Sequence, residues 1–320
     1  MRDHAGRGLD PDIAERLAGD ATEILALPRG SSAWDETMAC EPAPWLTLEG
    51  EAIDRALAAM GDFADLASPY LAGHSAGVAG LAEAVARRCG FAEPAVVAVR
   101  RAAAVHDIGR IATPVGVWHT PGPLSPDGWE QVRLHPYHSE RVLLRSPSLA
   151  PLAPVAGAHH ERLDGSGYHR GTSAAGQLAP ARLLAAVDAY HAMTEPRPHR
   201  EALDVARAAD LLGEQCRAGR FDPDLVAAVF DASGQPVEHI ERPAGLTDRE
   251  AEVLRLLARG LQTKQIAATL GISPKTADRH IQNVYGKIGV SSRAAATLFA
   301  MEHGLMAWGE LPMARAAPRP

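Results

Sequence analysis

The chain has 320 residues, 46% of them hydrophobic, and a formal net charge of −7. That is enough apolar material for two or three cores, and the charge excludes a globally nucleic-acid-binding protein, so any such site must be local. Cys40, Cys89 and Cys216 lie far apart with no CxxC spacing, which excludes a disulfide frame and a thiolate zinc site.

In chain order, the start MRDHAGRGLD lacks a basic-then-apolar signal pattern, and no apolar run is long enough to span a bilayer. A soluble, cytoplasmic protein without membrane contact is expected. AGRGLDPDIAERL near the start is echoed by AGRFDPDLVAAVF at Ala218–Phe230. Residues 1–49 therefore read as a helical segment, the remnant of a duplicated domain. Strand signals are weak, whereas helical periodicity punctuated by Pro and Gly runs throughout.

PYLAGHSAGVAGLAEAVARRCG carries Val78, Leu81 and Val85 on one stripe with His74 and stops at Gly90. EPAVVAVRRAAAVHDIG starts a helix at Pro94, with Val99 and Ala102 in register with His106. APARLLAAVDAYHAM places Leu184 and Val187 beside Asp188. Within DASGQPVEHIERPAG (Asp231–Gly245), residues 233–245 read as a linker, and residues 309–320 as a disordered tail.

His74, His106, Asp107, His135, the pair His159–His160 and Asp188 all fall at helix ends or on inward faces. A lone histidine there is usually a hydrogen-bonded core residue; seven such groups point to a metal site. Imidazole and carboxylate without thiolate favour Mn, Fe, Ni, Co or Zn. A two-metal centre suits phosphodiester hydrolysis, because it generates hydroxide near neutral pH and stabilises attacking and leaving oxygens.

HDIGR, then HP, then HHERLDGSGYHRG, then VDAY resemble the HD-GYP branch of the HD phosphohydrolase superfamily across about residues 50–232. The resemblance implies an HD-type helical bundle that binds two or three metals, commonly iron or manganese, and hydrolyses cyclic di-GMP. By position it implies His74, His106, Asp107, His135, His159, His160 and Asp188 as ligands, with Asp107 bridging two metals. It also implies Gly165, Gly167 and Tyr168 as the loop, and Arg197 and Arg200 near the substrate phosphates. Asp107 and Arg110 are the catalytic candidates, and Arg110, Gly167, Tyr168, Arg197 and Arg200 the substrate-binding ones.

Three departures stand out. The lysine after HDIG is Arg110, the proline of GYP is His169, and the glutamate that accompanies a third metal is Tyr70. Two divalent transition metals are therefore expected, Fe or Mn first, with Zn, Ni or Co as alternatives.

From Leu246 the pattern changes. Thr247 and Glu250 form a T-x-x-E capping box, and Ala251, Leu254 and Leu257 share a face. A short helix over 263–270 leads to Gly271, after which Ser273 caps a third helix with Pro274 at its first position. There Ala277, Ile281, Val284 and Ile288 form an inward stripe, and Lys275, Thr276, Arg279, Gln282, Asn283 and Lys287 face outward. These are the elements of a helix-turn-helix. SPKT, the following histidine and GVSSRA resemble the LuxR-type helix-turn-helix. That resemblance implies a four-helix DNA-binding domain over 246–308, with Lys275, Thr276, Arg279 and Asn283 at groove or phosphates. Ser273 lies at the same helix end, Lys264 and Lys287 meet the backbone, and a fourth helix near Arg293–His303 pairs two copies. Asp278 opposes phosphate binding or meets a cytosine amino group.

The expected chain is thus all-α: an HD-type bundle followed by a small LuxR-type domain. Its expected partners are DNA, a cyclic dinucleotide and a second copy of itself. Two functions follow: a metal-dependent cyclic di-GMP phosphodiesterase coupled to transcription regulation, or an HD-GYP domain that binds nucleotide without turnover and gates DNA binding. A general nucleotide phosphohydrolase is a third, against which the GYP-like loop argues.

Overall fold

The computed structural model describes residues 10–24, 26, 32–42, 47–235 and 242–306, and every regular element among them is a helix. The chain is all-α. None of these helices is long and apolar enough to cross a membrane.

Residues up to Glu49 and residues from Gly50 onward form two compact units. The first holds α1 (Pro11–Gly19), α2 (Ala21–Ile24) and α3 (Ala33–Ala39). Asp10 caps α1, its carboxylate accepting from the N–H of Asp12 and Ile13 at 3.0 and 3.1 Å, and Pro11 takes the first helical position. The echo at Ala218–Phe230 shares this start: Asp222 accepts from the N–H of Asp224 at 3.0 Å, and Pro223 follows it.

The second unit opens with α4 (Glu51–Asp65), α5 (His74–Arg88) and α6 (Glu93–Ala104). Next come α7 (Val115–Trp118), α8 (Pro126–Arg133), α9 (His135–Leu143) and α10 (Ala153–Ala156). Its helical bundle closes with α11 (Ala179–Met193), α12 (Val205–Arg217) and α13 (Pro223–Ala232). Val78, Ala82 and Val85 of α5, Val96 and Val99 of α6, Leu183, Leu184 and Val187 of α11, and Val226 and Val229 of α13 make the core. Helix α11 is apolar nearly all round because it is buried nearly all round.

Two helices differ from the sequence reading. The quoted segment PYLAGH does not all join helix α5, which begins at His74 after Gly73 turns left-handed at φ +81°. Helix α6 ends at Ala104, so His106 leaves its register and sits in a turn before the short 3-10 segment Ile108–Ala112. That segment presses on α9, where the Gly109 N–H donates to Ser139 Oγ at 2.9 Å. A Cβ on Gly109 would lie 2.8 Å from the same oxygen, so only glycine allows the approach.

The same compact unit continues with α14 (Asp248–Ala258), α15 (Thr263–Thr269), α16 (Pro274–Ile288) and α17 (Arg293–Glu302). The capping box forms as expected, with the Thr247 N–H donating to Glu250 Oε2 at 2.8 Å and the Glu250 N–H to Thr247 Oγ1 at 3.3 Å. Leu254, Leu257, Ile266, Ala277, Val284 and Ala300 close a second apolar core.

This small domain docks on the bundle. The Arg182 guanidinium, its side chain 3% exposed, donates to the carbonyl oxygens of Gln177 (3.2 Å), Ala174 (2.9 Å) and Gly304. Asp224 pairs with both Arg242 and Arg255, and Ala175 packs on the second core. The expected linker is described only in part, since 236–241 fall outside the described residues, as does the expected disordered tail.

Candidate metal centre and DNA-reading face

The seven candidate ligands converge. His74 opens α5, His106 and Asp107 occupy the turn after α6, His135 opens α9, His159 and His160 follow α10, and Asp188 lies in α11. All are buried except His160, which is partly so.

The two Asp107 oxygens face two different groups. Oδ2 lies 3.4 Å from His74 Nε2 and 3.1 Å from His106 Nε2, while Oδ1 lies 3.1 Å from His135 Nε2 and 3.4 Å from His159 Nε2. Asp188 divides in the same way, with Oδ1 at 3.2 Å from His74 Nε2 and Oδ2 at 3.6 Å from His160 Nδ1. Two clusters result, His74–His106–Asp188 and His135–His159–His160, with Asp107 between them.

The chemistry of this set fits cations. The Nδ1 atoms of His135 and His159 lie 2.5 and 2.6 Å from the carbonyl oxygens of Val132 and Ala156. A carbonyl only accepts, so each Nδ1 carries the proton and each Nε2 presents a lone pair. Those two Nε2 atoms are 3.0 Å apart. Facing lone pairs beside a carboxylate oxygen need a positive charge among them. The Nε2 atoms of His74 and His106 and both Asp107 oxygens likewise lack a well-formed hydrogen bond.

Protons respond to the same field. Burial opposes the imidazolium of His74, but Asp107, Asp188 and Glu195 outweigh it and raise that histidine to about 10. His106 rises to about 9 against the same burial, through Asp107 and Asp188. Burial wins at His159, pushed down to about 4, and it lowers His135 and His160 as well. Asp107 stays well below the usual carboxylate range: burial favours its neutral form, but Arg110 and His106 prevail.

Arg110 is buried, with Nη2 2.6 Å from Asp107 Oδ2 and its guanidinium carbon 5.2 Å from the centre of the Trp118 ring. Its Nε and Nη1 are buried without a hydrogen-bond partner among the described residues, and the residue lines a cavity of about 750 Å³, a size usual for small-molecule sites. Tyr70, Trp118, Trp129, Tyr168 and Arg197 also line it.

The opening glycines of the loop have definite work. Gly165 turns left-handed at φ +77°. At Gly167 a Cβ would sit 2.5 Å from Glu161 Cα and 2.8 Å from His160 O. This close return lets the Tyr168 N–H donate to His160 O at 3.2 Å and lays its ring 4.3 Å from that of His160. Buried Glu161 holds the far side, accepting from the N–H of Arg170 and Thr172 at 3.2 and 2.8 Å.

The two arginines of the RPHR turn differ. Arg197 and Arg200 exchange backbone hydrogen bonds of 2.8 and 3.1 Å. Arg200 then directs its guanidinium to the carbonyls of Ala192, Met193, Glu195 and Glu201, capping the end of α11. Both residues line the cavity, and Arg197 Nη2 lies 2.9 Å from Glu195 Oε2. Glu195 was missed in the sequence, although it adjoins the arginines. It also reaches His74 Nδ1 at 2.8 Å and His191 Nδ1 at 3.2 Å.

On the other domain, Lys275, Thr276, Arg279 and Asn283 of α16 are exposed on one side, as is Lys264 of α15. Ser273 caps α16, accepting from the Thr276 N–H at 3.1 Å. Lys287 is exposed as well, and its Nζ donates to Glu250 Oε2 at 2.6 Å and Gly245 O at 2.8 Å.

Residues 58–225 match the family model described as HD domain, and residues 244–300 the one described as bacterial regulatory proteins, luxR family. The chain is 32% identical over 199 residues to 3'3'-cGAMP-specific phosphodiesterase 3 of Vibrio cholerae, covering 62% of this chain and 43% of that protein. It is 35% identical over 162 residues to a cyclic di-GMP phosphodiesterase of Pseudomonas aeruginosa, covering 50% and 39%. Over 81 residues it is 40% identical to the transcriptional regulatory protein MctR of Rhizobium johnstonii, covering 25% and 37%. The chain thus spans less than half the length of these curated relatives. With more than half its length matched by the HD-domain model, the chain belongs to the HD-domain family, here fused to a LuxR-family DNA-binding domain.

Proposed function

We propose that the protein is a metal-dependent phosphodiesterase of cyclic dinucleotides whose output is sequence-specific DNA binding. The observation that carries this reading is the split of Asp107 between two histidine pairs, with His135 and His159 turning lone pairs toward one another at 3.0 Å. His74, His106 and Asp188 would hold one ion and His135, His159 and His160 the other, with Asp107 shared. Divalent ions, Fe or Mn first, supply positive charge for phosphate oxygens and acidify water near neutral pH.

The chain's own groups do the rest. Arg110 and Arg197 present guanidinium donors to phosphate. Tyr70, Trp118, Trp129 and Tyr168 offer ring faces on which bases stack. Both cyclic di-GMP and 3'3'-cGAMP, named in the relatives, share these features. Lys275, Thr276, Arg279 and Asn283 read the major groove and Lys264 the backbone, in a homodimer acting in the cytoplasm on a two-fold site. The bundle of residues 50–232 and the DNA-binding domain of 246–308 communicate through Arg182, which joins the loop after His159–His160 to Gly304.

One observation favours a second reading, nucleotide sensing without turnover. Arg110 lies 2.6 Å from the oxygen that Asp107 offers to the His74–His106 cluster, a cation already beside that metal position. The test is anaerobic incubation of Mn- or Fe-loaded protein with each cyclic dinucleotide, with His106→Ala as control. Linear dinucleotide or mononucleotide absent from the control supports hydrolysis. Intact nucleotide that co-elutes with the protein supports the sensor, and neither result sinks both.

A further inference from the structure

Four buried histidines present Nε2 to the two carboxylates, and three fix the opposite nitrogen alike. Nδ1 of His106, His135 and His159 lies 2.7, 2.5 and 2.6 Å from the carbonyl oxygen three residues earlier. His74 follows the left-handed Gly73 (φ +81°) and differs from these three. Its Nδ1 meets instead a carboxylate oxygen from far along the chain, Glu195 Oε2, at 2.8 Å. The same oxygen accepts from Arg197 Nη2 at 2.9 Å, while Oε1 lies 3.2 Å from His191 Nδ1.

We infer that Glu195 is a positioning residue that serves two functions at once: it orients His74 as a metal ligand and holds Arg197 at the mouth of the cavity. This rests on the metal-site reading above and extends it to a residue outside the seven ligands. A carboxylate behind a ligating imidazole fixes the proton on Nδ1, turns Nε2 toward the metal and makes the ring a stronger donor than a neutral carbonyl does. Of the four histidines, only His74 has this partner, so the two metal positions are unequal and the one served by His74 depends on Glu195. Because Glu195 Oε2 is shared with Arg197, the carboxylate also sets where the guanidinium stands to meet a phosphate. Arg197 Nη1 also donates to the Tyr70 carbonyl at 3.4 Å.

The test uses the full-length, metal-stripped chain and Mn(II) itself as the probe, titrated into wild type, Glu195→Gln, Glu195→Asp and Arg197→Ala after unfolding curves show that each is folded. Wild type should take up two ions. Glu195→Gln should weaken one of them about 10–100-fold and leave the other unchanged. Glu195→Asp, which keeps the charge but is one methylene shorter, should fall between, and Arg197→Ala should retain both ions. Binding of cyclic di-GMP to the Mn-loaded proteins gives the second arm: Arg197→Ala and Glu195→Gln each weaken it, and the double variant is no weaker than the worse single one. Wild-type Mn affinity in Glu195→Gln overturns this inference alone, as do additive losses in the cycle. A third ion that Glu195→Gln abolishes also overturns it, by making Glu195 a ligand. A wild-type chain that takes up no Mn(II) overturns the metal-site reading and this inference with it.

Discussion

Replacing Arg182 with methionine removes a buried guanidinium while keeping most of the volume of its stem. The lost contacts include hydrogen bonds to the carbonyls of Gln177, Ala174 and Gly304, and an ion pair with Asp222 at 3.6 Å. Breaking such a buried charged cluster from one side costs about 3–5 kcal/mol. Of that, the single bond to Gly304 O crosses to the DNA-binding domain, and a hydrogen bond to a charged donor is worth about 1.5–3 kcal/mol. Undocking of that domain should therefore become roughly 10–150-fold more frequent. Hydrogen exchange read by mass spectrometry checks this peptide by peptide. Amides of α17 and Gly304–Met306, and of the loop through Ala174–Gln177, should exchange faster, while those of α5 should change less. Arg182→Lys, which keeps the charge but not the fork, should give an intermediate effect. Unchanged exchange at Gly304–Met306 in the methionine variant would refute the idea that Arg182 joins the domains.

Further outcomes follow from the same geometry. Gly167→Ala forces a Cβ to 2.5 Å from Glu161 Cα, well inside a carbon contact of about 3.5–4.0 Å. Overpacking of this kind costs about 1–3 kcal/mol, so the melting temperature and Mn(II) affinity should both fall, and equality of both with wild type would contradict the close return. With His74 at about 10 and His106 at about 9, metal uptake at pH 7.5 should release about two protons, read as the buffer dependence of the binding enthalpy. In the metal-free chain the stability from those two protons is complete below the unfolded value of about 6.5 and lost as pH rises through 9 and 10. The contribution of His159 runs the other way, present above 6.5 and lost as pH falls through about 4. Denaturant unfolding that is flat from pH 6.5 to 10 would count against the raised pair. For DNA, Arg279→Ala should cost about 1–3 kcal/mol on a specific site, and Lys275→Ala should reduce the salt slope by about 1. Full affinity in both would move the reading face elsewhere.

By itself the sequence determined the all-α class, several helix starts and the candidate ligands. Local chemistry decides those features: Thr247 with Glu250, Ser273 with Pro274, and Asp222 with Pro223 write helix starts within a few residues. The HD and LuxR patterns carry side chains whose order alone restricts the fold. What it left open involves partners far apart in the chain. Glu195 gains its place because α5 and the end of α11 bring it to His74, 121 positions away. Arg182 meets Gly304 across 122 positions, and Lys287 reaches Glu250 across 37. Nothing in the spacing around Arg200 distinguishes a phosphate clamp from the cap on α11 that it forms. A long cationic side chain has many conformers, and only the packed surroundings select the acceptors it will meet. Tertiary structure therefore decided which carboxylate stands behind which histidine, and which acceptors each arginine meets.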